Sequence, residues 1–302
     1  MNILVTGSNG FIGGHFCRYL KDHGDFVVGL DKGETPKKAV DRYIQGDIAS
    51  ASLPEQIKSC GVERFDAVVH MAADMRHEPY GTDVVGTNCV GTERLLEFCE
   101  DRDVPVFVQL SSLPVIGEPL SVPITEDHPL KPPTVYHVTK ITQELLANYA
   151  TYTFGLRTVS FRICSPIGIG VNPKTIFPTF VRKAVHNEDL TLTGKGSRMQ
   201  TYIHVDDISQ AVRKAVCGED QGVYNLASNN LISNYDLAKK CIEVTGSSSR
   251  IVFTGTEDPM DDYRWEVSIE KIKKDTGYEP AVSIEAGIEE YAAYIREVED
   301  KK

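Results

Sequence analysis

The chain has no CxxC pair, no internal repeat, no low-complexity tract, and no apolar run near the roughly 18 residues that a membrane span requires. Neither a repeat array nor a membrane-spanning helix is expected. Positive charge is also scarce: 32 Lys and Arg stand against 43 Asp and Glu, for a net charge of −11. Such a balance argues against nucleic acid or an anionic membrane as partner, so an anionic ligand has to be held by local cations and backbone dipoles. The cysteines, at 17, 60, 89, 99, 164, 217 and 241, are odd in number and scattered, which reads as free thiols in a reducing compartment. With the first residues already strand-like, a cytoplasmic location is expected. The 302 residues, 41% hydrophobic and 25% charged, suit an ordinary globular chain of one large or two moderate domains.

What is present begins at the first residue. MNILVTGSNGFIG runs from an apolar strand, Ile3 to Val5, into a turn punctuated by Gly7, Gly10 and Gly13, and then into a helix carrying Phe11, Ile12, Phe16, Tyr19 and Leu20 at helical spacing. Glycine allows the sharp turn and lets N–H groups at a helix N-terminus approach a pyrophosphate. The spacing is GxxGxxG, not the GxGxxG of the dehydrogenase fingerprint. A second strand, Phe26 to Leu30, ends at Asp31, roughly 20 residues on, where a carboxylate accepts hydrogen bonds from ribose hydroxyls. Asp31 favours NAD over NADP by repelling a 2′-phosphate, although Lys32, Lys37 and Lys38 lie near enough in sequence to soften that preference.

Strand and helix signals then alternate, which predicts an α/β fold built on a doubly wound parallel sheet of Rossmann type. Strands are expected at 43–46, 67–70, 104–110, 156–163, 202–205 and 222–226, and helices at 51–60, 84–99 and 135–154. Pro and Gly become dense between Ser165 and Pro178, marking an exit into a smaller C-terminal α/β domain. The expected division is a nucleotide-binding domain of residues 1–165 plus about 202–228, and a substrate-binding domain of about 166–201 plus 229–302.

On the long helix, YHVTK places Tyr136 and Lys140 four residues apart and hence on one face. An unperturbed phenol has a pKa of ≈10; a nearby ammonium favours its ionised form, as does a cationic nicotinamide, so the pair is expected to give a base usable near neutrality. His137 is rotated about 100° away and is not assigned a role. The strand before this helix ends in Ser111 and Ser112 at the carboxyl edge of the sheet, where ligands of such folds bind.

GSNGFIG, Asp31, HMAA at 70–73, Asn88, Ser111-Ser112, YHVTK and YIHVDD occur in the order of the extended short-chain dehydrogenases/reductases, and the chain resembles their NAD-dependent epimerase/dehydratase branch from Met1 to the TGYEP segment at 276–280. GxxGxxG is the loop of that family. The resemblance implies that Gly7, Gly10, Phe11, Ile12 and Gly13 bind pyrophosphate, Asp31 the ribose, and Asp47 and Ile48 the adenine region; Ala72 and Ala73 line the groove, and Asn88 supports the site. It further implies Ser112 as the catalytic hydroxyl, Tyr136 as acid/base and Lys140 as the ribose-binding cation. The implied substrate is a nucleotide-diphosphate sugar, oxidised at C4 to a transient 4-keto sugar by NAD. Leu113 and Pro114 stand where the family's 4,6-dehydratases carry Asp-Glu, which points to a 4-epimerase. The alternatives are an NAD(P)H-dependent reductase of a 4-keto sugar or other small carbonyl, and a silent cofactor-binding regulator.

Three positions depart from the family pattern. Ser165 stands where a diphosphate-contacting Asn is expected, with Ile167 in place of Tyr, and Gln200 replaces a phosphate-binding Arg; Arg198 and Arg264 are then the candidate phosphate ligands. An Asp at 206 or 207 is expected to cap the helix running to Cys217 rather than to bind metal, and no metal site is expected. Cys164, near the site, is read as packing. The resemblance also implies a homodimer pairing helices 84–99 and 135–154.

Overall fold

Alternate residues of the first strand enter different cores. Ile3 and Val5 pack with Val27, Val69 and Val108, whereas Leu4 packs with Val28, Val68 and Phe107. A strand buried on both faces has no polar side to show, which is why these segments read as unbroken apolar runs. The computed structural model describes residues 1–76 and 82–299. Its amino-terminal half contains β1 (Asn2–Thr6), α1 (Phe11–Asp22), β2 (Phe26–Asp31), β3 (Arg42–Gln45), α2 (Leu53–Ser59), β4 (Ala67–His70), α3 (Thr82–Val85), a π turn (Gly86–Val90), α4 (Gly91–Asp101), β5 (Val106–Ser112), a 3-10 turn (Leu113–Ile116), α5 (Val135–Phe154) and β6 (Arg157–Ile163).

The carboxyl-terminal half adds β7 (Ser165–Ile167), α6 (Ile176–Val185), β8 (Leu190–Leu192), β9 (Met199–His204), α7 (Val205–Cys217), β10 (Gly222–Leu226), β11 (Asn230–Ser233), α8 (Asn234–Thr245), β12 (Ile251–Phe253), α9 (Glu270–Thr276) and α10 (Ile284–Glu299). Seven strands form one parallel sheet in the order β3-β2-β1-β4-β5-β6-β10. The order reverses direction at β1, and a crevice opens beyond the carboxyl ends of the strands there. The fold is α/β and Rossmann-like. Two small sheets, β11-β9-β7 and β12-β8, gather with α6, α8 and α10 around a third core containing Phe177, Phe180, Leu237 and Ile288.

Three expectations need correction. The strand at 202–205 is the end of β9, which pairs with β7 and β11 rather than entering the parallel sheet; period-two patterning identifies a strand but not its partners. The helix expected at 84–99 begins at Thr82 and is interrupted by the π turn, a hydrogen-bond slip that apolar spacing does not reveal. Neither Asp206 nor Asp207 caps α7. His204 does, its Nδ1 accepting from Asp206 N at 3.3 Å, while the Asp207 carboxylate accepts from Ala281 N and Val282 N and moors the chain entering α10.

α5 carries the central face of the site, and its own termini hold it in place. Thr134 caps it by accepting from His137 N, and Gly155, at φ 72°, closes its end in the left-handed region. Inside, Glu144 meets Arg162 of β6 through two bonds of 3.0 and 2.7 Å and accepts from Ser111 Oγ of β5 at 2.5 Å. A buried ion pair adds little net stability, but its fork geometry fixes the register of α5 on β5 and β6.

Candidate active site

At the crevice, a cavity of about 1450 Å³ runs from the glycine loop to the small sheets. Its size exceeds the usual 300–1,000 Å³ of a site for one small ligand and leaves room for two molecules end to end. Gly7, at φ 70°, makes the turn that L side chains rarely adopt, and a Cβ there would lie 2.8 Å from Ala72 N. A Cβ on Gly13 would lie 2.1 Å from Gly7 O, so α1 approaches the loop as closely as backbone allows. Gly10 precedes α1 with no side-chain cap, which keeps the first-turn N–H groups available to an anion. Asp31 ends β2 with its carboxylate held by Asn9 N and Gly33 N, both at 3.1 Å. These features fit a dinucleotide.

Gly7, Gly10, Phe11, Ile12, Gly13, Asp31, Ile48, Ala72 and Ala73 all line the cavity, as do Ser112, Tyr136, Lys140, Ser165, Arg198 and Gln200. Three expected residues do not. Asp47 pairs with Lys32 at 3.0 Å, Arg264 pairs with Glu266 at 2.7 Å, and Asn88 is fully buried behind the wall. Asn88 sits on the π turn, where the extra residue turns its amide inward: Oδ1 accepts from Asp74 N at 2.8 Å, and Nδ2 donates to Asp74 O and Thr139 Oγ1, both at 2.9 Å. It couples the groove wall to the helix of Tyr136, because Thr139 Oγ1 donates in turn to Tyr136 O at 2.7 Å.

Burial overrides charge at the expected acid/base pair. The Tyr136 phenol is pushed up to about 12, contrary to the lowering expected from sequence. Lys140, 4% exposed, is brought down to about 8 by burial despite the opposing Glu144 carboxylate. Its Nζ lies 5.6 Å from the centroid of the Tyr136 ring and donates to Leu110 O at 2.8 Å. The ammonium lies over the ring with its hydrogen bond directed to Leu110 O, and burial outweighs its charge at the phenol.

At the far end, Ser165 Oγ donates to Gln200 Oε1 at 3.3 Å and Gln200 Nε2 donates to Asn234 Oδ1 at 3.2 Å, so two of the departures from the family pattern touch each other. Asn172, Thr175, Thr193, Asn234, Asp258 and Trp265 also line this end and carried no motif in the sequence. Gly91 admits Ile48 to the cavity wall, since Ile48 Cγ1 would lie 2.6 Å from a Cβ there. Among the described residues no group of three metal-ligating side chains occurs, and no helix is long and apolar enough to cross a membrane.

Residues 3–227 match the family described as NAD dependent epimerase/dehydratase. The low-salt glycan biosynthesis protein Agl12 of Haloferax volcanii is 33% identical, over 97% of this chain and 98% of its own. Among solved structures, the UDP-glucose 4-epimerase of Thermotoga maritima, in complex with UDP-glucose, superposes with a TM-score of 0.88 at 26% identity, covering 99% of each chain. The dTDP-glucose 4,6-dehydratase of Bacillus anthracis, in complex with NAD, superposes with a TM-score of 0.82 at 25% identity, covering 99% of this chain and 98% of its own.

Proposed function

We infer that this chain, which belongs to the NAD dependent epimerase/dehydratase family, works within that NAD-dependent nucleotide-sugar chemistry as a 4-epimerase. The observation that carries the choice is the wall beside Ser112. Leu113 and Pro114, on the 3-10 turn, face the cavity where elimination of water needs an acid and a base, and the described cavity carboxylates, Asp31, Asp74 and Asp258, all belong to other segments.

Bound NAD supplies a reversible hydride acceptor. Tyr136 takes the proton of the C4 hydroxyl, Ser112 hydrogen-bonds that oxygen, and Lys140 holds the nicotinamide ribose and keeps positive charge beside the phenol. The 4-keto sugar turns over, and Tyr136 returns its proton as hydride comes back on the other face. Retention of the cofactor through the cycle is what separates this reading from a reductase.

The test is to incubate the purified protein, loaded with NAD but with none added, with UDP- and dTDP-hexoses, and to follow C4 configuration by NMR. Interconversion of C4 epimers is expected, and Tyr136→Phe should lower turnover at least 10³-fold while leaving NAD content unchanged. A 4-keto-6-deoxy product, or turnover only with NADH or NADPH supplied, would falsify the epimerase assignment.

A homodimer and a cytoplasmic location belong to the same proposal. Val138, Leu145, Tyr149 and Tyr152 form an exposed apolar stripe at helical spacing on α5, a surface that favours a second copy over water. Seven free cysteines, with no disulfide, suit a reducing compartment.

A further inference from the structure

The far end of the cavity is a wall of hydrogen-bond donors with a single guanidinium. In the chain Ser165–Gln200–Asn234 each side-chain carbonyl oxygen accepts one bond, and one hydrogen on Gln200 Nε2 and two on Asn234 Nδ2 are left to donate to a ligand. Asn234 N also donates to Arg198 O at 3.0 Å, placing Arg198 in the same frame. Arg198 immediately precedes β9, Gln200 is the second residue of that strand, and both line the cavity.

Arg198 is the one arginine among the cavity-lining residues. Its guanidinium meets no carboxylate among the described residues, and its Nε is buried without a partner, a costly state for a charged donor. The other cations here are already engaged, Lys32 by Asp47 and Lys140 by Leu110 O. Arg264 is neutralised by Glu266, with its Nη1 against Met199 Sδ at 3.0 Å, outside the cavity. Asp258, on the same wall, uses Oδ1 to accept from Met260 N at 2.9 Å and offsets any broad positive field, so the wall selects by directed bonds more than by net charge.

Resting on the nucleotide-sugar reading, we propose that Arg198 holds the substrate's diphosphate, with Gln200 and Asn234 as neutral donors beside it and Ser165 orienting Gln200, in place of a second cation. The guanidinium fork matches two phosphate oxygens, and the amides complete the contact without added charge.

Calorimetric titration of the NAD-loaded protein with UDP, dTDP, GDP and CDP tests this on the parent and on Arg198→Gln, Arg198→Lys and Arg264→Gln, with bound NAD measured in each as a check on folding. Arg198→Gln should weaken the preferred nucleoside diphosphate about 10- to 100-fold. Arg198→Lys should fall between, since it keeps the charge but loses the fork, and Arg264→Gln should match the parent. Unchanged binding in Arg198→Gln, or an equal loss in Arg264→Gln, overturns the assignment while leaving the nucleotide-sugar reading intact. Failure of the parent to bind any of the four overturns both.

Discussion

Lys140 shows how far a residue's environment can depart from its sequence context. An ammonium four residues from a phenol argues for a lowered phenol, yet burial dominates both groups, lifting Tyr136 to about 12 and bringing Lys140 down to about 8. The lysine thus costs stability. Its ordinary pKa is 10.5, and between 8 and 10.5 the unfolded chain binds the proton that the folded chain gives up. The penalty is complete below pH 8, about 3 kcal/mol before the bond to Leu110 O is counted against it, and it disappears as pH rises through 10.5. Lys140→Met should therefore abolish turnover and yet gain on the parent in melting temperature most at pH 7, the gain shrinking toward pH 10.5. Scanning calorimetry of the nucleotide-free proteins across that range measures it, and a difference independent of pH would trace the effect to packing alone.

Among the elements, α5 does two jobs on two faces. Its inner face carries Lys140, Gln143 and Glu144, while Leu145, 62% exposed, Tyr149, 60% exposed, and Tyr152, 88% exposed, leave an apolar stripe toward solvent. If a second copy covers that stripe, the double change Leu145→Glu, Tyr149→Glu should halve the mass seen by light scattering and leave bound NAD in place; an unchanged mass would remove α5 from the interface. The sequence made much of this level legible. Apolar runs located the strands of the parallel sheet, because burial on both faces leaves no other composition. The glycine loop and Asp31 were readable because backbone geometry admits few residues there. Hydrogen-bond register was not readable: the π turn that aims Asn88 inward shares its composition with an ordinary helix, and β9 gave no sign of which sheet would take it. The wall at Asn172, Asn234 and Trp265 was hidden for another reason, since it is assembled from segments far apart in the chain.

The whole molecule is fastened at a polar node in its centre. His70, at the end of β4 and 2% exposed, reaches Thr6 of β1 through Nδ1 at 2.8 Å and Thr92 of α4 through Nε2 at 3.1 Å, and Gln143 of α5 donates to the same Thr92 hydroxyl at 2.6 Å. Thr6 Oγ1 accepts from Met71 N and Ala72 N, which uses both lone pairs and leaves its hydrogen for His70 Nδ1; Nε2 meets both Thr92 Oγ1 and, at 3.1 Å, Gln143 Nε2, and the Thr92 hydrogen goes to Asn88 O at 2.6 Å. A second proton on the ring would face a hydroxyl with nothing left to accept it. Burial, with Lys140 nearby, accordingly holds the imidazole down to about 3. Because the unfolded ring titrates near 6.5, the contribution of neutral His70 is fully present above that pH and is lost progressively as pH falls toward 3, by up to about 1.4 kcal/mol per unit. Urea unfolding of His70→Asn at pH 7, 6, 5 and 4 separates this from the general effect of protonating carboxylates. The variant should be about 1–3 kcal/mol less stable at pH 7, where Thr6 and Thr92 lose their partner, and should approach the parent as pH falls. Parallel curves would mean that the acid sensitivity lies elsewhere, and that the node linking β1, β4, α4 and α5 is held by its threonines and Gln143 without the ring.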